Sequence, residues 1–303
     1  MALSSAGERG ARGWQEDSRV AQIVAATAAA AHRRFPDLEA RELAMTLVLP
    51  NRGRATGASL RGNRPIYPAS VVKLFYMVAM QAWLASGKLR PTPELRRALA
   101  LMVGQSSNDA TNHIVDLLTG TTSGPEMSQA AFATWLERRR SVNRYFARWH
   151  CPEFVGINLT QKTWTEAPYG RERRARYAVP GNRNQLSTDS VARLLLAIAR
   201  GQAVNRKRSA AMMKLLYRPL PVKPEHASPF DQVRGFLGEG LPQGCKLWSK
   251  AGWTSQVKHD AAIVRLPRGP NFILVVFTTG AAHAGSQRVL PFIAREVSAA
   301  LIA

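Results

Sequence analysis

SVVKLFYMVAMQAWLASGK, residues 70–88, decides the fold. The run from Leu74 to Met80 predicts an apolar helix suited to burial, and Gly87 is placed to end it. A lysine at the start of a buried helix needs a reason, and the serine three residues before it supplies one. Residues three apart share a helix face, so Ser70 Oγ and Lys73 Nζ can meet. A serine hydroxyl is a weak nucleophile until a base takes its proton. Lysine can be that base where burial and neighbouring cations lower its pKa. A helix N-terminus here also aims the Ser70 N–H at incoming negative charge. Alone, the pattern S-x-x-K describes many capping serines followed by solvated lysines, so the rest of the chain must carry the reading.

Two further motifs do so. Ser106-Ser107-Asn108 offers a second hydroxyl that can relay a proton between a lysine and a departing nitrogen. The Asn108 amide can donate to a substrate carbonyl while its oxygen accepts from lysine. As a bare sequence it also fits a polar turn and helix cap. Lys250-Ala251-Gly252-Trp253-Thr254 falls on a predicted strand. There Lys250 can face a substrate carboxylate, Gly252 lets substrate approach the backbone, and the Trp253 N–H can pair with that of Ser70 as an oxyanion hole. A lysine protecting an edge strand is the plainer reading of that segment alone.

In this order and setting the three motifs resemble those of the class A β-lactamase and penicillin-binding-protein superfamily: S-x-x-K, S-D-N and K-T-G. The resemblance covers roughly residues 20–303 and includes Asn112, four residues after Asn108. It implies an acyl-enzyme formed on Ser70, with Lys73 and Ser106 moving protons and Asn108, Lys250, Gly252 and Trp253 holding substrate. It further implies a loop glutamate that activates the deacylating water. Glu166, in Trp164-Thr165-Glu166-Ala167-Pro168, is the candidate, with Glu172 second. Departures are Ser107 for the usual acid, Ala251 for a hydroxyl residue, Trp253 for a small one, and Gly170 where a water-positioning asparagine is expected. Trp253 is expected to narrow the site or stack on a ligand. The implied activity is hydrolysis of an amide, lactam or ester, with weak β-lactam turnover. A D,D-peptidase, an esterase or a non-catalytic ligand-binding relative are the alternatives.

Around the motifs, residues 19–35 have helical spacing, and 42–49 and 55–60 predict strands. Strands follow again over 246–252, 258–266 and 271–279, and a closing helix over 288–302. The expected fold is therefore α/β (α+β): one sheet built from both chain ends (19–67 and 210–303), flanked by helices, with an all-helical subdomain (68–209) inserted. Residues 1–18 are polar and expected to be mobile. Over 125–150, Phe132, Trp135, Leu136, Val142, Phe146 and Trp149 fall at helical steps and arginines fill the remainder. That pattern predicts a basic amphipathic helix packed on the parent domain, although such helices also bind membranes or nucleic acid.

The 42 Lys and Arg against 20 Asp and Glu give a net charge of +22. Such a field attracts nucleic acid, acidic membrane surfaces or small carboxylates and phosphates, although arginine scattered along the whole chain also fits solubility alone. The expected partner is a small anionic substrate. No nucleic-acid motif accompanies the charge. The two cysteines and six histidines have no metal-site spacing, so neither metal nor cofactor is expected. No apolar run is long enough to span a bilayer. The first residues lack an apolar leader, which predicts a cytoplasmic protein, or a periplasmic or extracellular one if a leader has been removed. Nothing in the sequence predicts an oligomeric state.

Overall fold

Successive side chains of a strand point to opposite faces of its sheet, and strand β7 (Phe272–Thr279) is apolar on both. Ile273, Val275 and Phe277 enter one core; Phe272, Leu274 and Val276 enter another. A strand buried on both faces belongs at the middle of a three-layer structure. The computed structural model, which describes residues 13–51, 53–220 and 230–303, has that form.

The other strands are β1 (Gln15–Glu16), β2 (Leu43–Leu49), β3 (Thr56–Leu60), β4 (Tyr217–Arg218), β5 (Lys246–Trp253) and β6 (Val257–Arg265). Their order in the sheet is β1-β3-β2-β7-β6-β5-β4. Only β1 and β3 pair in parallel; the remaining pairs are antiparallel. Strands from both chain ends thus meet at the β2–β7 pairing, as the sequence predicts.

One face of the sheet carries α1 (Ser18–Arg34) and α11 (Val289–Ile302). The other carries α2 (Lys73–Ala85) and α8 (Thr188–Ala199), both buried along most of their length. Beyond them lie α3 (Pro93–Gly104), α4 (Asn108–Thr119), α5 (Gln129–Arg139), α6 (Ser141–Ala147), α7 (Gly170–Tyr177) and α9 (Arg206–Leu216). The short α10 (Ala281–Ala284) follows β7. No described helix is long and apolar enough to cross a membrane.

Three expectations change in detail. Residues 13–18 are held in place: Trp14 is buried, β1 extends the sheet, and Asp17 caps α1 by accepting from Val20 N–H at 2.9 Å. One buried tryptophan removes enough apolar area from water to hold the chain on the sheet edge. The first twelve residues of the segment expected to be mobile lie outside the described residues. Second, the helix expected from Ser70 begins as a 3₁₀ turn over Ala69–Val72, and α2 proper starts at Lys73. Third, the basic stretch forms two helices, α5 and α6, broken at Arg140. Phe132 and Trp135 pack with Ala175 of α7, whereas Val142, Phe146 and Trp149 join the main core.

Arg139 does not stand with the other arginines in solvent. It is fully buried, bonded to Glu172 of α7 and 3.7 Å from Asp116 of α4. A charge taken out of water needs a paired partner. Glu172 is that partner, and it also accepts from Ser123 at 3.0 Å. The second candidate for the hydrolytic glutamate is therefore tied into a buried ion pair.

Candidate active site

Strand β5 passes directly over the Ser70 turn. A Cβ placed on Gly252 meets Ser70 N at 2.7 Å and Pro68 O and Val71 N at 2.9 Å. All three are backbone atoms, so only glycine allows this approach. The turn is tight for a second reason: Ala69, just before the serine, has φ 45°, a left-handed conformation costly for a residue with a side chain. Ser70 Oγ has no hydrogen bond to a described residue.

Pairing parity places the next N–H. In antiparallel strands alternate residues bond to a given neighbour. Thr254 N–H donates to Val257 O at 2.9 Å, on the β6 side. Ala251 N–H instead leaves the other edge, donating to Gln232 Oε1 at 3.1 Å. Trp253 shares the parity of Ala251, so its N–H points to that same edge, next to the glycine that packs on Ser70. Its indole belongs to the opposite sheet face from the Lys250 side chain, where it packs on Phe236 with ring centres 5.4 Å apart.

Two lysines converge on one hydroxyl. Lys73 Nζ donates to Ser106 O at 2.5 Å, to Asn108 Oδ1 at 2.9 Å and to Ser106 Oγ at 3.2 Å. Lys250 Nζ donates to the same Ser106 Oγ at 2.9 Å, to Gln232 Oε1 at 2.7 Å and to Ala251 O at 2.6 Å. Ser106 also has a left-handed backbone (φ 58°), the conformation in which its carbonyl and its hydroxyl both reach Lys73. Burial disfavours the ammonium form and pushes Lys73 down to about 7. Lys250 is pushed well below the usual lysine range by burial first, then by the charges of Lys73 and Arg218. Asp260, behind it on β6, opposes that shift.

The loop of residues 160–168 closes the other side. Asn112 Oδ1 accepts from Thr163 N–H at 3.0 Å, and Asn108 Nδ2 donates to Thr165 Oγ1 at 3.2 Å. Lys162 anchors the loop on Asp116 and Ser123, each at 2.7 Å. Tyr76 OH donates to Gln161 O at 2.7 Å. Glu166 is exposed and makes no hydrogen bond or ion pair with a described residue. The structure thus brings Ser70, Lys73, Ser106, Asn108, Lys250, Gly252 and the Trp253 backbone together, and leaves Glu166 on the loop surface.

Sequence reasoning missed Gln232 and Thr165. Gln232 is nearly fully buried; its amide nitrogen donates to Val103 O at 3.2 Å and Gly104 O at 2.8 Å while its oxygen receives Lys250. It therefore fixes the lysine against α3. No local pattern marks it. Asp260 did leave a signal, an acid directly before the apolar run of residues 261–264 in a predicted strand.

The chain matches the model of the beta-lactamase enzyme family over residues 91–301, a span that includes Ser106, Asn108 and Lys250. No curated protein matches it. Among solved structures it is similar to a point mutant of PBP-A, solved as an acyl-enzyme complex with penicillin G, at 17% identity and TM-score 0.64, covering 93% of this chain and 96% of that one. A beta-lactamase from Sphaerobacter thermophilus is similar at 20% identity and TM-score 0.60, covering 92% and 95%. The TLA-1 extended-spectrum beta-lactamase is similar at 12% identity and TM-score 0.65, covering 92% and 99%. These likenesses show the fold, and the family model covers more than two thirds of the sequence. The chain belongs to the beta-lactamase enzyme family and is a β-lactamase-like serine hydrolase.

Proposed function

We propose that this hydrolase acylates Ser70 with an amide, lactam or ester bearing an anionic group, and releases the acyl group slowly. The observation that carries the reading is the shared hydroxyl: Ser106 Oγ lies between Lys73 Nζ and Lys250 Nζ. As an ammonium, Lys73 donates to three oxygens. As a neutral amine it has two N–H groups, enough for Ser106 O and Asn108 Oδ1, and one lone pair to accept a proton.

Ser70 Oγ attacks the carbonyl carbon and its proton passes to Lys73. Oxyanion charge develops against the Ser70 and Trp253 N–H groups. The Ser106 hydroxyl donates its proton to the departing nitrogen and regains one from Lys73, so the C–N bond breaks as a neutral amine leaves. Once Lys73 is neutral its charge no longer disfavours the Lys250 ammonium, which donates to three oxygens and supplies the positive charge that attracts the anionic group. Water then attacks the ester, with Glu166 as general base. Glu166 is exposed and unanchored, which supports slow deacylation and weak β-lactam turnover.

A chromogenic cephalosporin should give a burst of one product per enzyme and then slow turnover. Intact-protein mass spectrometry should show one adduct, absent in Ser70→Ala. An adduct that persists in Ser70→Ala, or efficient turnover near kcat/KM of about 10⁶ M⁻¹s⁻¹, overturns the proposal.

A further inference from the structure

The basic aromatic stretch that builds α6 has no part in the chemistry above, yet it forms one wall of a cleft. The other wall is the far end of α2, about 20 Å along the helix from Lys73 at 1.5 Å per residue. The cleft has a volume of about 430 Å³, within the range of small-molecule sites. Trp83 and Tyr145 line it with aromatic surface, their ring centres 5.3 Å apart. Trp83 is almost fully buried, and its Nε1–H has no hydrogen-bond partner, a donor left unused inside the protein.

Lys88, Arg144 and Arg148 also line the cleft. Lys88 Nζ lies 4.4 Å from the centre of the Trp83 ring. Arg144 is neutralised by Glu137, whereas Lys88 and Arg148 have no acidic partner among the described residues. The local balance is two uncompensated positive charges beside aromatic rings. A guanidinium fork suits phosphate oxygens, and a phosphate monoester near pH 7 carries a charge of about −1.5 to −2. A monocarboxylate leaves one positive charge unmatched, and an uncharged ring leaves both.

We infer that the cleft between the end of α2 and α6 is a second binding site, for a small aromatic molecule bearing a phosphate. The two rings stand at 71° to one another, so the ligand's ring lies against Tyr145 with its edge toward Trp83, and the phosphate meets Lys88 and Arg148.

Calorimetric titration with adenosine 5′-monophosphate and with phenyl phosphate tests this. At least one of the two should bind at least tenfold more tightly than adenosine, benzoate or inorganic phosphate. Lys88→Glu with Arg148→Glu, both exposed positions, should weaken that binding at least tenfold and leave the cephalosporin burst unchanged. Neither aromatic phosphate binding more tightly than inorganic phosphate means that only the general positive field acts, and overturns the site. Undiminished binding in the double variant places the ligand elsewhere and overturns it equally. If phenyl phosphate matches adenosine 5′-monophosphate, the site reads ring and phosphate alone; if it binds less tightly, the nucleoside is read as well. A failed burst in the wild type would refute the acylation proposal and leave this one standing.

Discussion

At Lys73 two requirements meet. To act as the proposed base, the amine must be close enough to Ser70 to take a proton, and it must be neutral when it does. Burial within the helical layer meets the second by bringing its pKa down to about 7, without any neighbouring cation as the main cause. The sign of the pH dependence follows. The base is the unprotonated form, present above the pKa and lost below it. The acylation rate constant should therefore rise about tenfold per pH unit up to pH 7 and level off above it. Stopped-flow release of the cephalosporin chromophore measures this directly. A rate flat from pH 5 to 9 would remove Lys73 as the base. The neighbouring strain has a local logic too. Ala69 and Ser106 are both non-glycine residues at positive φ; one precedes Ser70 and the other carries the hydroxyl proposed to relay the proton.

Among the elements, the proposed mechanism makes the loop of residues 160–168 and the helices around it decide how long an acyl group stays. The loop is anchored by Lys162 on Asp116, and Asp116 also neighbours the buried pair Arg139–Glu172 that joins α5 to α7. Replacing Arg139 by Met leaves Glu172 buried without its counter-ion, and such breaks cost about 3–5 kcal/mol. Chemical denaturation should read that loss, and the double variant Arg139→Met with Glu172→Leu should recover most of it; equal losses in both would assign the loss to other contacts of Arg139, such as its place over the Trp135 ring, and not to an unpaired Glu172. Glu166 belongs to the same loop but has no anchor. Glu166→Ala should leave the burst intact and slow deacylation by only about tenfold, below the 10²–10⁴ of a well-held general base. Unchanged deacylation would assign the water to another group.

Much at this scale was legible beforehand. The strands of the C-terminal third showed through their apolar runs, and Ser70, Lys73, Ser106 and Lys250 through motif order. Arg139 was not, because an arginine among arginines reads as a solvated face until an acid on another helix is brought to it. Gln232 and Thr165 were hidden for the same reason: their roles depend on which residues the fold brings to them, Lys250 and α3 for one and Asn108 for the other.

For the molecule as a whole, the net charge of +22 and the buried lysines act over different distances. Surface arginines make a field that speeds the encounter with anions, and salt screens it: the Debye length is about 10 Å at 0.1 M and about 3 Å at 1 M. Lys250 is fully buried at the site, so salt would screen the proposed contact with a bound anion far less. The two contributions can be separated by crossing salt with mutation. For an anionic cephalosporin, kcat/KM should fall severalfold between 0.05 and 1 M salt, while a neutral activated ester should change less than twofold. Lys250→Ala removes one of the two donors to Gln232 Oε1, takes the lysine donor from Ala251 O and loosens Ser106, so it should slow both substrates. The additional loss for the anionic one should persist at 1 M salt, where the surface field is gone. If the preference for anions vanishes at high salt in the parent protein, the field alone selects substrate and Lys250 serves only to hold Ser106 in place. If the preference survives in Lys250→Ala at high salt, another cation at the site makes the contact, and Lys250 is not the residue that grips the anion.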